Sequence, residues 1–208
     1  KKSGILDIYF NTNAVLMKDG VIDAIIESGI NRISISFEGT EKTLYEKNRI
    51  GAKFEEVVHN IECLVNKRKQ KKSKTPRIRI QTVLIPEMVP LLEDYKKFWV
   101  EKGVDEVAYL DIEKDPEKDE DLHYPWICPQ LWQRMTIWYD GTLIPCVHDT
   151  FGIMKFGNVS EITVYDAWNS VVENAYRQIH QSGYGETLYA CRICPLRAGQ
   201  VRILKSGG

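Results

Sequence analysis

From Ile5 to Asp111 the chain switches repeatedly between two hydrophobic periods. Short stretches in which every second residue is apolar alternate with longer ones in which apolar residues recur every three or four positions. The first kind predicts strands over Ile5–Asn11, Arg32–Glu38, Arg77–Ile85 and Glu106–Asp111. The second predicts helices over Asp19–Ser28, stopped by Gly29, over Lys53–Lys69, and over Glu87–Lys102, ended by Gly103. This order, with crossovers of this length, argues a parallel sheet with helices on one face.

Parallel strands covered on both faces read as continuous apolar runs. These do not. Leu6, Ile8 and Phe10 alternate with Asp7, Tyr9, Asn11 and Asn13. Ile33, Ile35 and Phe37 alternate with Arg32, Ser34, Ser36 and Glu38, and Ile78 and Ile80 with Arg77, Arg79 and Gln81. One face can pack under the helices, while the other must line a solvated cavity or a polar ligand site. The fold class expected is α/β: a curved partial (β/α) barrel of parallel strands with a polar lumen. The plainer alternative is an open two-layer sheet with one wet face.

After Asp111 the texture changes. Ile112–Leu122 is a charged linker. Met135–Asp140 and Thr142–Cys146, joined through Asp140-Gly141, predict a β-hairpin with a type I′ turn. Thr163–Gln181 predicts one helix, capped by Thr163 with Asp166 at its third position. Its apolar face would be Val164, Ala167, Trp168, Val171, Ala175 and Ile179. Gly183-Tyr184-Gly185 ends it, and the basic tail Arg197–Gly208 is expected to fray. The basic run Lys67–Lys74 reads as a solvated helix end that complements the helix dipole. The domains expected are therefore 1–122, the α/β part, and 123–208, a small α+β domain with a hairpin and a helix.

The second domain carries the chemistry. Cys128, Cys146, Cys191 and Cys194 stand as C-x17-C, a gap of 44 residues, then C-x-x-C, with Gly141 inside the first pair. A C-x-x-C turn can aim two thiolates at one metal centre, and a second pair completes the four-thiolate shell of a [4Fe–4S] cluster or a structural zinc. A disulfide framework suits a small secreted domain better than 208 residues that contain a fifth cysteine, Cys63, and no apolar signal stretch. Zinc sites built from four cysteines usually present two short C-x-x-C knuckles, so the 17-residue gap favours iron–sulfur and leaves zinc open. Cys63 falls opposite the apolar stripe Phe54, Val57, Val58, Ile61 and Val65, on the expected solvent side of its helix.

Composition narrows the partners. With 28 Lys+Arg against 29 Asp+Glu, the net charge of −1 gives no bulk attraction to nucleic acid or to an anionic membrane. The longest apolar runs are a few residues, too short to span a bilayer. A chain 43% hydrophobic and 27% charged is an ordinary globular one, and its unpaired thiol suits a cytoplasmic location.

These residues resemble the radical S-adenosylmethionine (SAM) enzymes that carry a SPASM or twitch auxiliary-cluster domain. Asn11-Thr12-Asn13-Ala14 is similar to the Thr-Asn-Gly end of that family's third barrel strand, with Ala14 where Gly is usual. Ser34-Ile35-Ser36-Phe37-Glu38-Gly39 and Tyr45-Glu46-Lys47-Asn48-Arg49 are similar to the fourth strand and the loop after it. Cys128-Pro129-Gln130-Leu131-Trp132, Asp140-Gly141, Pro145-Cys146, Gly157-Asn158-Val159 and Cys191-x-x-Cys194 match the auxiliary domain in order. No cysteine follows Cys194, so the resemblance is to the single-cluster twitch type, and within it to the 2-deoxy-scyllo-inosamine dehydrogenase type.

The resemblance implies that Ser36 and Arg49 contact the methionine or ribose part of SAM, with Asn13 also among the cofactor contacts and Leu110 near the adenine. It implies that Cys128, Cys146, Cys191 and Cys194 hold one auxiliary [4Fe–4S] cluster, and that Val147, His148 and Asp149 face the substrate. His148 and Asp149 are the candidate catalytic residues, His148 as the base. The implied reaction removes hydrogen from a carbon of a sugar- or aminocyclitol-like small molecule, with the remaining electron passing to the auxiliary cluster. An external donor such as flavodoxin or ferredoxin would supply reducing electrons. Alternatives are peptide maturation and a non-catalytic iron–sulfur or zinc module. The family's C-x-x-x-C-x-x-C loop, which binds the SAM-cleaving cluster, does not occur in these residues. The working protein is therefore expected to carry about 100 further N-terminal residues, and the 208-residue chain alone to be marginal or aggregation-prone.

Overall fold

A computed structural model describes residues 4–112, 114–117, 121 and 123–207. They form two compact units, 1–112 and 113–208. In the charged segment expected as a linker, residues 113, 118–120 and 122 lie outside the described residues.

The first unit contains four strands, β1 (Tyr9–Thr12), β2 (Arg32–Ser36), β3 (Arg77–Val83) and β4 (Glu106–Leu110). They pair in sequence order, all parallel, into one open sheet. Helix α1 (Asp19–Glu27) connects the first two strands. Helices α2 (Lys42–Asn48) and α3 (Phe54–Gln70) connect the next two, and α4 (Leu92–Glu101) the last two. The sheet is four-stranded and does not close among the described residues.

The isoleucine alternation is the alternation of the sheet. Ile33, Ile35, Ile78 and Ile80 are fully buried in one core with Ile22, Ile61, Leu64, Tyr95 and Trp99 from the helices. Phe37 stacks on Tyr45 with ring centroids 4.1 Å apart, and its carbonyl accepts a 2.6 Å hydrogen bond from the Tyr95 hydroxyl. On the opposite face the register sets Ser34 beside Arg79 and Ser36 beside Gln81. The Ser34 hydroxyl donates to Gln81 Oε1 at 2.7 Å.

Several boundaries differ from the sequence expectation. The first strand begins at Tyr9 rather than Ile5, and Leu6 is 91% exposed. Register is the reason: Tyr9 pairs with Arg32, where β2 starts, and the last backbone bond at that end runs from Arg32 N–H to the Ile8 carbonyl, so the residues before Ile8 have no backbone partner on β2. The basic run at the end of α3 is not simply solvated. Lys67 reaches Asp19 and Asp23, Lys71 reaches Asp23 and Glu27, and Arg68 is buried against Asp105 and the Pro76 carbonyl. Cys63 is partly covered, packing on the core with its sulfur 3.4 Å from His59 Nε2.

The second unit begins with a short helix α5 (Gln130–Gln133) and a small antiparallel sheet of β5 (Thr136–Ile137), β6 (Thr142–Ile144) and β7 (Gly157–Asn158). The hairpin turn is not type I′, because Asp140 does not take the positive φ that type I′ requires at both central positions. Trp138 N–H donates to the Thr142 carbonyl across a three-residue loop in which only Gly141 is left-handed, at φ +86°. A Cβ on Gly141 would lie 2.7 Å from Asn158 Oδ1, and the Asn158 amide donates to the Asp140 carbonyl. The Asp-Gly and Gly-Asn pairs of the sequence are thus two halves of one contact.

The long helix expected over Thr163–Gln181 is two helices, α6 (Val164–Trp168) and α7 (Val171–Gln181). Thr163 caps the first through Asp166 N–H, as expected, and Ser170 caps the second through Glu173 N–H. Ser170-Val171-Val172-Glu173 is a Ser-x-x-Glu start signal of its own. The expected apolar face is inverted along α7: Val171 is 86% exposed and Ala175 is exposed, whereas Glu173, Arg177 and His180 are buried. Helices α8 (Tyr189–Arg192) and α9 (Pro195–Lys205) follow. Most of the expected tail is helical instead. Pro195 occupies the first turn of α9, and Ala198 and Val201, one turn apart, pack against Tyr124.

Candidate metal centre

The four cysteines reach one cavity from three directions. Cys128 stands just before Pro129, the N-terminal cap of α5, Cys146 follows β6, Cys191 sits in α8, and Cys194 is the N-terminal cap of α9. All four line the same cavity, and none is in a disulfide. The hairpin delivers Cys146, and the turn after it is held by Asp149, whose carboxylate oxygens accept from Ile153 N–H at 3.0 Å and Met154 N–H at 2.8 Å. The C-x-x-C turn is closed by Cys194 N–H donating to the Cys191 carbonyl.

Burial dominates the electrostatics. It pushes all four thiols up, Cys194 to about 11 and Cys191 to about 12, and Cys191 is raised further by each of the other three sulfurs. Without a cation the site therefore holds four neutral thiols, and a cationic centre would take the place of their protons. Four thiols around one cavity are the donor set of a [4Fe–4S] cluster or of a four-cysteine zinc site.

The wall of this cavity contains residues whose roles sequence reasoning missed. Arg197, expected in a frayed tail, is buried and donates to the Tyr124 and Trp126 carbonyls and to Glu186. His180 is buried, and its imidazole is pushed down to about 4 by desolvation and by the Arg197 charge. Glu173, on the same helix as His180 but outside the cavity lining, is pushed up to about 6 by burial. The available signal was the spacing of Glu173, Arg177 and His180, which places three ionisable side chains on one stripe of α7. Of the expected substrate-facing residues, His148 and Asp149 line the cavity and Val147 is exposed beside it.

The expected SAM contacts belong to the first unit. A cavity of about 440 Å³ on the polar sheet face brings together Asn11, Ser34, Arg79, Gln81 and Leu110. Ser36 meets that group through its hydroxyl, which accepts from Gln81 Nε2 at 3.4 Å. Asn13 and Arg49 are not among the lining residues. The Asn13 side chain accepts Val15 N–H just beyond β1, and Arg49 is paired with Glu38. Ala14 adopts φ +59°, a conformation that favours glycine, at the position where the family motif has Gly.

Residues 128–195 match the SPASM family, an iron–sulfur cluster-binding domain. No curated protein matches the chain. Among solved structures, the chain is similar to anSMEcpe with bound AdoMet, at 12% identity and a TM-score of 0.59 over 90% of this chain and 61% of that one. It is similar to anSMEcpe with bound AdoMet and Kp18Cys peptide, at 13% identity and a TM-score of 0.56 over 83% of this chain and 60% of that one. A third likeness, to BtrN in an open conformation, has 17% identity and a TM-score of 0.38 over 92% of this chain and 93% of that one. The chain thus shares the fold of the anSMEcpe structures while spanning about three fifths of their length. All four cavity cysteines fall within the segment that matches the SPASM family.

Proposed function

We propose that this chain forms the SAM-contacting sheet and the single auxiliary [4Fe–4S] site of a radical SAM oxidoreductase. The observation that carries the proposal is the ring of four reduced cysteines around one cavity inside the SPASM match. The sheet adds support through its polar face and through a fold shared with AdoMet-bound structures. In this reading Cys128, Cys146, Cys191 and Cys194 hold the cluster, which when bound supplies a one-electron acceptor.

Ser36, Leu110 and Asn13 lie at or just past strand C-terminal ends, where α/β folds place ligands, and are the proposed SAM contacts together with Arg49. His148 is the proposed base. Asp149, with both oxygens engaged by backbone N–H groups, fixes the turn that carries it. The reaction class is oxidation of an alcohol carbon to a ketone: bound SAM would supply the hydrogen-atom acceptor, a cluster held by the four cysteines would supply a one-electron acceptor, and His148 would take the hydroxyl proton.

Anaerobic reconstitution of the chain with iron and sulfide, followed by iron, sulfide and zinc analysis, tests the metal assignment. Four irons and four sulfides per chain are expected; stoichiometric zinc without sulfide would end it. A peptide substrate is the second reading, favoured by the likeness to a structure solved with a peptide. Deoxyadenosine release by the intact protein, stimulated by peptides but not by aminocyclitols, would select it.

A further inference from the structure

Helix α7 turns Val171 outward and buries Glu173, Arg177 and His180, which costs desolvation unless the buried groups are used. Arg177 is used structurally: it donates to the Leu131 and Trp168 carbonyls, each at 2.9 Å, and lies over the Trp168 ring. His180 is placed differently, between two cysteines from distant parts of the chain. Its Nδ1 lies 3.5 Å from the Cys128 backbone N–H, which donates to it, and its Nε2 lies 3.4 Å from Cys191 Sγ. The ring cannot drift from this position. A Cβ at Gly185 would approach His180 Cε1 at 2.6 Å and Nδ1 at 2.7 Å, so the glycine backbone packs directly on the imidazole.

The geometry fixes the proton. A nitrogen that accepts an N–H carries none itself, so the neutral ring holds its single proton on Nε2, and Cys191 Sγ is the acceptor. We infer that His180 is a positioning residue of the metal centre, donating its Nε2–H to Cys191 Sγ and so setting the reduction potential of the cluster bound there. Hydrogen bonds to ligand sulfurs stabilise the more negative, reduced state of an iron–sulfur centre, so this bond shifts the potential upward. The same ring orders the Cys128 backbone, linking the two ends of the ligand set through one side chain.

The inference rests on the iron–sulfur reading for its redox consequence, and the two can fail separately. In the full chain with the cluster assembled anaerobically, a dye-mediated redox titration followed by electron paramagnetic resonance gives the potential. His180→Leu is expected to shift it negative and His180→Gln, which keeps a side-chain N–H, to restore it towards the starting value. Gly185→Ala is expected to push the ring off Cys191 and give the same negative shift with the histidine still present, which covers the case in which His180→Leu does not fold. An unchanged potential in Gly185→Ala and His180→Leu overturns the inference while leaving the cluster assignment intact. Independently of any cluster, nitrogen-15 NMR of the metal-free chain should show His180 protonated on Nε2 alone, and protonation on Nδ1 overturns the inference. A chain that takes up no iron or sulfide would remove the iron–sulfur reading, and the tautomer would then decide the hydrogen bond alone.

Discussion

Arg49 and Glu38 form a two-pronged ion pair, with Nε 2.5 Å from Oε2 and the terminal NH2 group 2.6 Å from Oε1. The carboxylate side chain is 8% exposed and the guanidinium 30%, so the two partners do not share the desolvation cost equally. Removing one partner of a buried pair is costly because the other is left uncompensated. Arg49→Met, which strands the more buried carboxylate, should therefore destabilise the chain by about 3–5 kcal/mol. Glu38→Gln should cost less, because Arg49 can turn towards solvent. Urea denaturation of both variants measures this asymmetry; equal losses would show that the pair is not held as described.

Asp105 anchors the start of β3 to the end of α3. Its carboxylate accepts from Ile78 N–H at 2.7 Å and from both terminal nitrogens of Arg68. Burial pushes this carboxyl up, but the hydrogen bonds from Arg68 and Ile78 together with the charges of Arg68 and Arg77 outweigh it and leave its pKa below the usual value of 3.8. A folded-state pKa below the unfolded one means that the ionised group's stabilisation is present above the unfolded value. It is lost as pH falls through the folded one. Asp105→Asn should cost about 1.5–3 kcal/mol at neutral pH, the range for hydrogen bonds to charged groups. The gap from the unsubstituted chain should close below about pH 4. Thermal melts across that range are the measurement, and a gap that widens in acid has the wrong sign.

Replacing any one of Cys128, Cys146, Cys191 or Cys194 by Ala should cut cluster loading sharply, read as iron and sulfide per chain after anaerobic reconstitution. Cys63→Ala should load normally, since Cys63 lies beside His59 on α3, in the other compact unit. Full loading of all four single variants would mean that the cavity cysteines are not the ligands.

Gly141 combines a left-handed backbone with a tight approach to Asn158 and Val159. Gly141→Ala should lose about 1–2 kcal/mol from the backbone conformation, with the Asn158 contact adding to that. Because the hairpin delivers Cys146, the same variant should release iron faster under a chelator. A melt and a release rate both unchanged would show that the turn does not brace the site.

Much of the first unit was legible in the sequence because its signals are local. The alternation of Ile33 and Ile35 with Ser34 and Ser36 follows from the two-residue repeat of a strand, and that repeat sends the serines to the polar face wherever the strand pairs. The start of β1 was not legible, since a strand begins where its neighbour offers partners, and Arg32 sets that point from a distant part of the chain.

In the second unit the sequence by itself determined the candidate ligands and the turn that carries one of them: four cysteines in a C-x17-C and a C-x-x-C, and a hairpin at Asp140-Gly141. The contact of that hairpin with Gly157-Asn158 and the helix that starts at Pro195 came only from the structure. Only the tertiary structure decided what surrounds them. Helix α7 has two candidate inner faces, one led by Val171 and Ala175 and the other by Glu173, Arg177 and His180, and hydrophobicity favours the first. The structure buries the second, because His180 lies against Cys128 and Cys191 and Arg177 ties down the Leu131 and Trp168 carbonyls. A local period shows that a helix has faces. Which face is desolvated depends on partners that only the folded chain brings within hydrogen-bonding distance.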